Sequence, residues 1–153
     1  MQLTSPTFMH EGNILSKYTC DGENISPELH IKEVPDKTKS LVLLMDDPDV
    51  PKSIRPDGMW DHWAVWNIPP TTTTISEGKE PKGMQGKNTG GKLGYAGPCP
   101  PDKEHRYFFK LYALDTTLNL PEGSTKKEVE QAMEGHILAQ ATLMGKYNRP
   151  GNS

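Results

Sequence analysis

The sequence predicts a mainly β protein, an antiparallel sandwich or barrel rather than a chain of βαβ units. Three observations predict it. Short runs of apolar and aromatic residues are separated by loops rich in proline and glycine, which number 14 each among 153 residues. Only one helix is clearly marked. The formal charge of -3 and a hydrophobic content of 33% fit a folded chain with a thin aliphatic core and long loops.

The first strand is read at Ser40-Leu-Val-Leu-Leu-Met45, an apolar run stopped by Asp46-Asp47-Pro48. The second is Asp61-His-Trp-Ala-Val-Trp-Asn-Ile68, closed by Pro69-Pro70. Alternation there predicts His62, Ala64, Trp66 and Ile68 on one face and Trp63, Val65 and Asn67 on the other. The third is Tyr107 to Leu114, rich in aromatics. Thr125-Lys-Lys-Glu128 is a capping box, and Val129, Ala132 and Met133 follow at helical spacing, with Gly135 as the stop. From His136 to Tyr147 the apolar positions suit both periods, so periodicity alone does not choose helix or strand.

Composition excludes several functions. No apolar run approaches the ~20 residues of a membrane span, and the N-terminus lacks the basic and apolar regions of a signal peptide. The expectation is a cytoplasmic chain without stable membrane insertion. A mildly acidic protein without a basic stripe does not suit nucleic acid. Cys20 and Cys99 are too few for a disulfide scaffold or a four-cysteine zinc site, and two reduced thiols are expected in that compartment, with a single disulfide between them as the alternative.

The unusual residues concentrate. Half of the glycines lie between Gly78 and Gly97, in a segment that fits neither a P-loop nor a dinucleotide fingerprint. A surface loop with several turns explains them, and so does a cradle of backbone N–H groups for an anion. Trp60, Trp63 and Trp66 stand within seven residues, as core packing or as a pocket wall. Asp47 and Asp49 follow the first strand, His62 opens the second, and His105 precedes the third. Taken singly, an Asp-Pro-Asp is a polar turn and each histidine a structural one. Together at one rim they suit three chemistries. A metal site would use the histidines and aspartates, but no close-spaced ligand motif supports one. Nucleophilic catalysis lacks a Gly-x-Ser-x-Gly elbow or an evident base for Cys99. An anion pocket needs imidazole, hydroxyl and amide donors, with carboxylates orienting the imidazoles.

At these residues the sequence resembles the phosphatidylethanolamine-binding protein family, in its bacterial and archaeal Raf-kinase-inhibitor-like branch. The resemblance rests on Tyr18-Thr-Cys-Asp-Gly-Glu-Asn-Ile-Ser-Pro27, on Asp47-Pro-Asp-Val-Pro51 with Trp60-Asp-His-Trp-Ala-Val-Trp-Asn-Ile-Pro69, and on Gly94-Tyr-Ala-Gly-Pro-Cys-Pro-Pro101 with His105 to Leu114. Gly135-His-Ile-Leu-Ala and Gly145-Lys-Tyr-Asn-Arg149 resemble its C-terminal end. It implies one domain over residues 1–153, a Greek-key-like antiparallel sandwich with a few peripheral helices, and a strand after Gly135. It also implies a small anion site formed by Asp47, Asp49, Pro51, His62, Cys99 (through a loop amide), Pro101, His105 and Tyr107. The chain departs from the family at Asp102-Lys103-Glu104, where glycine is common between Pro-Pro and His. Added acid there bears on ligand preference.

The functional expectation is a non-enzymatic binder of a small phosphate- or carboxylate-bearing ligand, with no cofactor and no metal. The alternative is a protein that inhibits or modulates a protease or kinase through its rim loops, with the glycine-rich segment as a flexible surface. A hydrolase built on the Asp/His cluster is a third reading. A symmetric homodimer is compatible with the resemblance.

Overall fold

The computed structural model describes residues 1–152. Among these residues nine strands form two sheets. The small sheet joins β1 (Gln2–Thr4), β3 (Leu29–Lys32) and β6 (Thr74–Ile75), in the order β1-β3-β6. The large sheet contains β2 (Gly12–Asn13), β4 (Ser40–Asp47), β5 (Trp60–Ile68), β7 (Met84–Gln85), β8 (His105–Leu114) and β9 (Ile137–Tyr147). Its order is β2-β9-β8-β4-β5-β7. β4 and β5 pair antiparallel, as do β8 and β9, and the chain returns from the β5 side to lay β8 beside β4. That return is the Greek-key-like element of the sandwich.

Every residue of β4 is buried. The reason is that the central strand is covered on both faces, which is why it reads as an unbroken apolar run. On one face Leu41, Leu43 and Met45 join Trp63, Val65, Tyr107, Phe109 and Leu111 against Leu3, Leu29 and Ile31 of the small sheet. On the other face Val42 and Leu44 join Ala64, Trp66 and Leu114 beneath α1 (Lys126–Met133), which contributes Val129 and Met133. Trp63 and Trp66 thus serve two cores.

α1 starts as its sequence predicts. The Thr125 hydroxyl accepts from the Glu128 N–H, and the Glu128 carboxylate accepts from the Thr125 N–H. The helix ends at Met133, and Gly135 follows at a φ of 80°. The ambiguous tail is a strand, β9, paired along its length with β8.

The predicted alternation needs correction at both ends of β5. At its start a register shift lies between Met45 and Asp46, and His62 packs against Tyr107 of the main core rather than with Ala64 and Trp66. Ile68 lies on the face of Trp63 and Val65, not with Ala64 and Trp66. Leu41 pairs with Ile68 but Leu43 pairs with Val65, so β5 carries one extra residue in a bulge. Asn67 takes the strained position, at a φ of 55°. Its side chain replaces the lost ladder bonds, donating to the Leu118 carbonyl at 2.9 Å and accepting from the Leu118 N–H at 2.8 Å. The extra residue reverses the side-chain parity beyond it, which strict period-two counting does not show.

The rims of the large sheet differ. β7 and β2 are two-residue strands, and β2 pairs with β9 only at Gly145 and Lys146. Residues 137 to 142 of β9 have no strand on their outer side among the described residues, and Ile137 and Leu138 are exposed. Among the described residues no helix is long and apolar enough to cross a membrane.

Candidate functional site

Antiparallel pairing brings the C-terminal end of β4 beside the starts of β5 and β8. At this end a cleft of about 270 Å³ is lined by Asp47, Val50, Ile54, Trp60, His62, Gly97, Cys99, Pro101 and His105. The strand ends supply Asp47, Trp60, His62 and His105, and two loops close the sides.

The loop after β4 turns at Pro51, whose carbonyl accepts from the Ile54 and Arg55 N–H groups at 2.9 and 3.1 Å. That turn places Val50 and Ile54 on the cleft, while Pro51 itself does not line it. The second loop, Ala96 to Pro101, is pinned to the segment Tyr18–Asn24. Cys20 N–H donates to the Pro98 carbonyl, Gly97 N–H to Asn24 Oδ1, and the Tyr95 hydroxyl to the Tyr18 carbonyl. Gly97 is required by this close approach, since a Cβ there would stand 2.4 Å from the Tyr18 carbonyl oxygen.

A disulfide joins Cys20 and Cys99 in the same place, with Cα atoms 5.5 Å apart. This overturns the expectation of two reduced thiols. Seventy-nine residues of sequence separate the pair, and only the sheet topology brings them within bridging distance.

His62 is buried, and its Nδ1 lies 2.6 Å from the Ala96 carbonyl oxygen. A carbonyl only accepts, so Nδ1 carries the hydrogen and Nε2 keeps a lone pair. Burial disfavours the charged ring and pushes its pKa down to about 4, despite the Ala96 carbonyl and the nearby Asp46 and Asp61. His62 is therefore neutral at pH 7, in contrast to a cationic donor. Among the described residues Nε2 has no partner, and the ring lines the cleft.

His105 is different. It is fully buried, with Nδ1 2.6 Å from Asp47 Oδ2 and Nε2 2.7 Å from Asp102 Oδ1. A carboxylate oxygen on each nitrogen calls for a hydrogen on both. Burial opposes that charge, but Asp47 and Asp102 outweigh it and hold the pKa above the usual histidine value. Asp47 is itself raised by burial, against the lowering pull of His105 and of the Asp49 N–H.

Tyr107 is buried below the cleft lining. Its ring meets His62 edge to face at 5.3 Å and stacks near His105 at 6.4 Å. Its hydroxyl is buried without a hydrogen-bond partner among the described residues, and burial raises its pKa. Asp49 turns away from the cleft. Its carboxylate accepts from Arg106 Nε and Nη2 at 2.9 and 2.8 Å and from the Arg106 N–H at 2.9 Å, which holds its pKa low.

Of the residues singled out in the sequence, the cleft therefore gathers Asp47, His62, Cys99, Pro101 and His105. Tyr107 contacts the histidines, while Asp49 and Pro51 shape the rim without lining it. Trp60 takes the pocket-wall reading and Gly97 ends the glycine-rich segment on the cleft, while sequence reasoning missed Val50 and Ile54 as lining residues. Val50 sits inside the Asp-Pro-Asp-Val-Pro motif and Trp60 begins the next one, so the motifs themselves carried the signal.

The glycine-rich segment is tied down at several points, while residues 90–93 are exposed. Gly86 N–H donates to the Ala64 carbonyl, Asn88 N–H to the Lys92 carbonyl, and the Asn88 amide to the Gly94 carbonyl. Most of its turns are held by the sheet edge, and only its Gly97 end reaches the cleft.

The profile of the family described as "Phosphatidylethanolamine-binding protein" matches residues 4–148. A UPF0098 protein of Chlamydia trachomatis is 50% identical over 149 residues, covering 97% of this chain and 99% of that one. A UPF0098 protein of Methanothermobacter thermautotrophicus is 51% identical over 155 residues, covering 97% and 99%. Among solved structures, a phosphatidylethanolamine-binding protein homolog from Chlamydia trachomatis superposes with a TM-score of 0.95 at 50% identity, covering 97% of each chain. YbcL of Escherichia coli, described as a new member of the mammalian family, gives 0.87 at 32% identity, covering 97% of this chain and 98% of that one.

Proposed function

The chain belongs to the phosphatidylethanolamine-binding protein family, and from that premise we propose that it is a non-enzymatic binding protein whose cleft holds a small phosphate-bearing ligand. The observation that carries this reading is the free Nε2 of His62 in a cleft that also contains Asp47 and the Cys99 loop. Nε2 and the Asp47 carboxylate are acceptors. The Cys99 N–H, which donates to no backbone carbonyl among the described residues, is a donor. A partner for this set must both give and receive hydrogen bonds. A phosphate that retains one proton does so: its P–OH donates to Nε2, and its other oxygens accept from the loop amide. A carboxylate above its own pKa brings no such proton and fits less well. Val50, Ile54 and Trp60 give the rest of the ligand an apolar wall.

Nothing in this set resembles an activated nucleophile. Cys99 is in a disulfide, and the one charged imidazole has both nitrogens engaged. Binding without turnover is the reading that the geometry supports.

Titration with inorganic phosphate and, separately, with acetate tests it. The readouts are the His62 ring resonances in NMR and the tryptophan fluorescence. Phosphate should give a saturable shift at His62 that His62→Ala removes, and acetate a smaller one. Absence of any saturable change with either anion overturns the proposal.

A further inference from the structure

The loop Pro101-Asp102-Lys103-Glu104 contains an acidic side chain that reaches back to the cleft histidine. Asp102 Oδ1 lies 2.7 Å from His105 Nε2, while Asp47 Oδ2 takes Nδ1 on the other side. His105 lines the cleft and is the imidazole with a hydrogen on both nitrogens, yet it has no donor left for a ligand. Its two partners differ in kind. The Asp47 side chain is 4% exposed and fixed by the Asp49 N–H, whereas the Asp102 side chain is 40% exposed on a loop. The inner carboxylate is part of the wall, and the outer one can leave.

We infer that Asp102 is a resident anion: its carboxylate occupies on His105 Nε2 the position that a ligand oxygen would otherwise take, and so sets the affinity and charge preference of the cleft. This inference rests on the phosphate reading above. Three consequences follow from the charges. With His62 neutral, one imidazolium stands between two carboxylates, so the His105 cluster in the cleft wall carries an excess negative charge. An oxyanion that uses His105 must first displace Asp102, and the displaced carboxylate remains nearby to repel it. A ligand of low negative charge that brings its own proton for His62 Nε2 binds without that exchange.

Neighbouring charges do not cancel the effect. Arg106 is committed to Asp49 through two nitrogens. Lys103 and Lys146 lie with Asp49, Glu104 and Arg106 around a separate surface hollow rather than in the cleft.

The test uses the full chain at one pH, 7.5, with inorganic phosphate as the probe and three proteins: wild type, Asp102→Asn and Asp102→Ala. Asparagine keeps an oxygen for Nε2–H and removes the charge. Alanine uncovers the nitrogen. Removing a competing charged hydrogen bond should tighten phosphate binding about tenfold in Asp102→Ala, with Asp102→Asn intermediate. The ¹⁵N resonance of His105 Nε2 should respond to phosphate in Asp102→Ala and stay unmoved in wild type. Lys103→Ala, one residue away on the same loop, should leave phosphate affinity within twofold of wild type.

Equal affinity in wild type and Asp102→Ala, with His62 responding in both, overturns the role of Asp102 and leaves the phosphate reading standing. A His105 Nε2 response of equal size in wild type also overturns it, because the nitrogen is then already open. No phosphate response at His62 or His105 in any of the three proteins overturns both.

Discussion

His105 and Asp47 meet across two strands of the large sheet, Nδ1 2.6 Å from Oδ2, with the histidine fully buried and the aspartate nearly so. His62, also buried in the cleft wall, is neutral instead. Two histidines in one cleft thus differ in charge, because burial removes the proton from His62 while a carboxylate on each nitrogen holds it on His105.

Their titrations act on stability in opposite directions. The folded pKa of His62 is depressed from 6.5 to about 4, so its contribution is full above 6.5 and declines as pH falls toward 4. The loss over that window is on the order of 3 kcal/mol. The folded pKa of His105 is raised, so its contribution is present below 6.5 and declines as pH rises through the raised value. Asp47, also raised, opposes the His62 slope at the acid end. Urea unfolding from pH 4.5 to 8.5 should show maximal stability near 6.5. His62→Asn should flatten the acid limb while leaving the alkaline limb in place.

Lys126 is buried and lies 3.0 Å from Asp46 Oδ2 and 2.9 Å from Asp61 Oδ1. It ties α1 to the strand ends on the face opposite the main core. Lys126→Met leaves Asp46, 1% exposed, with Lys110 as its remaining cation. A cost of about 3 kcal/mol is expected. The double change Asp46→Asn with Lys126→Met should recover part of it, because the uncompensated charge is then gone. Denaturant midpoints of the single and double variants measure this.

Removing the disulfide should cost about 4 kcal/mol, from the loop of 79 residues it closes. The checks are the denaturant midpoint of the Cys20→Ala, Cys99→Ala double variant and a thiol count on the unreduced protein, expected to be zero. The three hydrogen bonds between Tyr18–Asn24 and Tyr95–Pro98 remain in that variant, so it should still fold.

Asn67→Ala removes two hydrogen bonds and keeps a side chain at a φ of 55°. A loss of about 2 kcal/mol is expected. Asn67→Gly loses the same bonds but relieves the backbone, so it should be milder by a few tenths to about 1 kcal/mol. The difference in urea midpoint between the two variants separates the bulge conformation from its side-chain support.

Much of the fold is legible in the residues. The apolar run of β4, the aromatics of β8 and the capping box at Thr125 each name their element through a local cause. What is not legible depends on distant parts of the chain. The bulge at Asn67 is stabilised by Leu118, fifty-one residues away in sequence. Cys20 and Cys99 leave a disulfide and two thiols both open until the loops are placed side by side. In the site, motif residues identify which strand ends converge. They do not tell which side chains turn inward: Asp49 goes to Arg106 and Asp102 returns to His105. Nor does sequence distinguish the two histidines, whose charge follows from burial at His62 and from two carboxylates at His105.

The unguarded stretch of β9 has a consequence for handling the protein. From Ile137 to Thr142 the rim contains neither proline nor a charged side chain, the usual deterrents to pairing with a foreign strand. Its outer backbone groups are open to any extended polypeptide, without prior unfolding of the core. These six residues at one border are therefore a place where a foreign strand can pair in crowded or concentrated solutions. A lysine introduced at Gln140 would lengthen shelf life with little change in the unfolding midpoint.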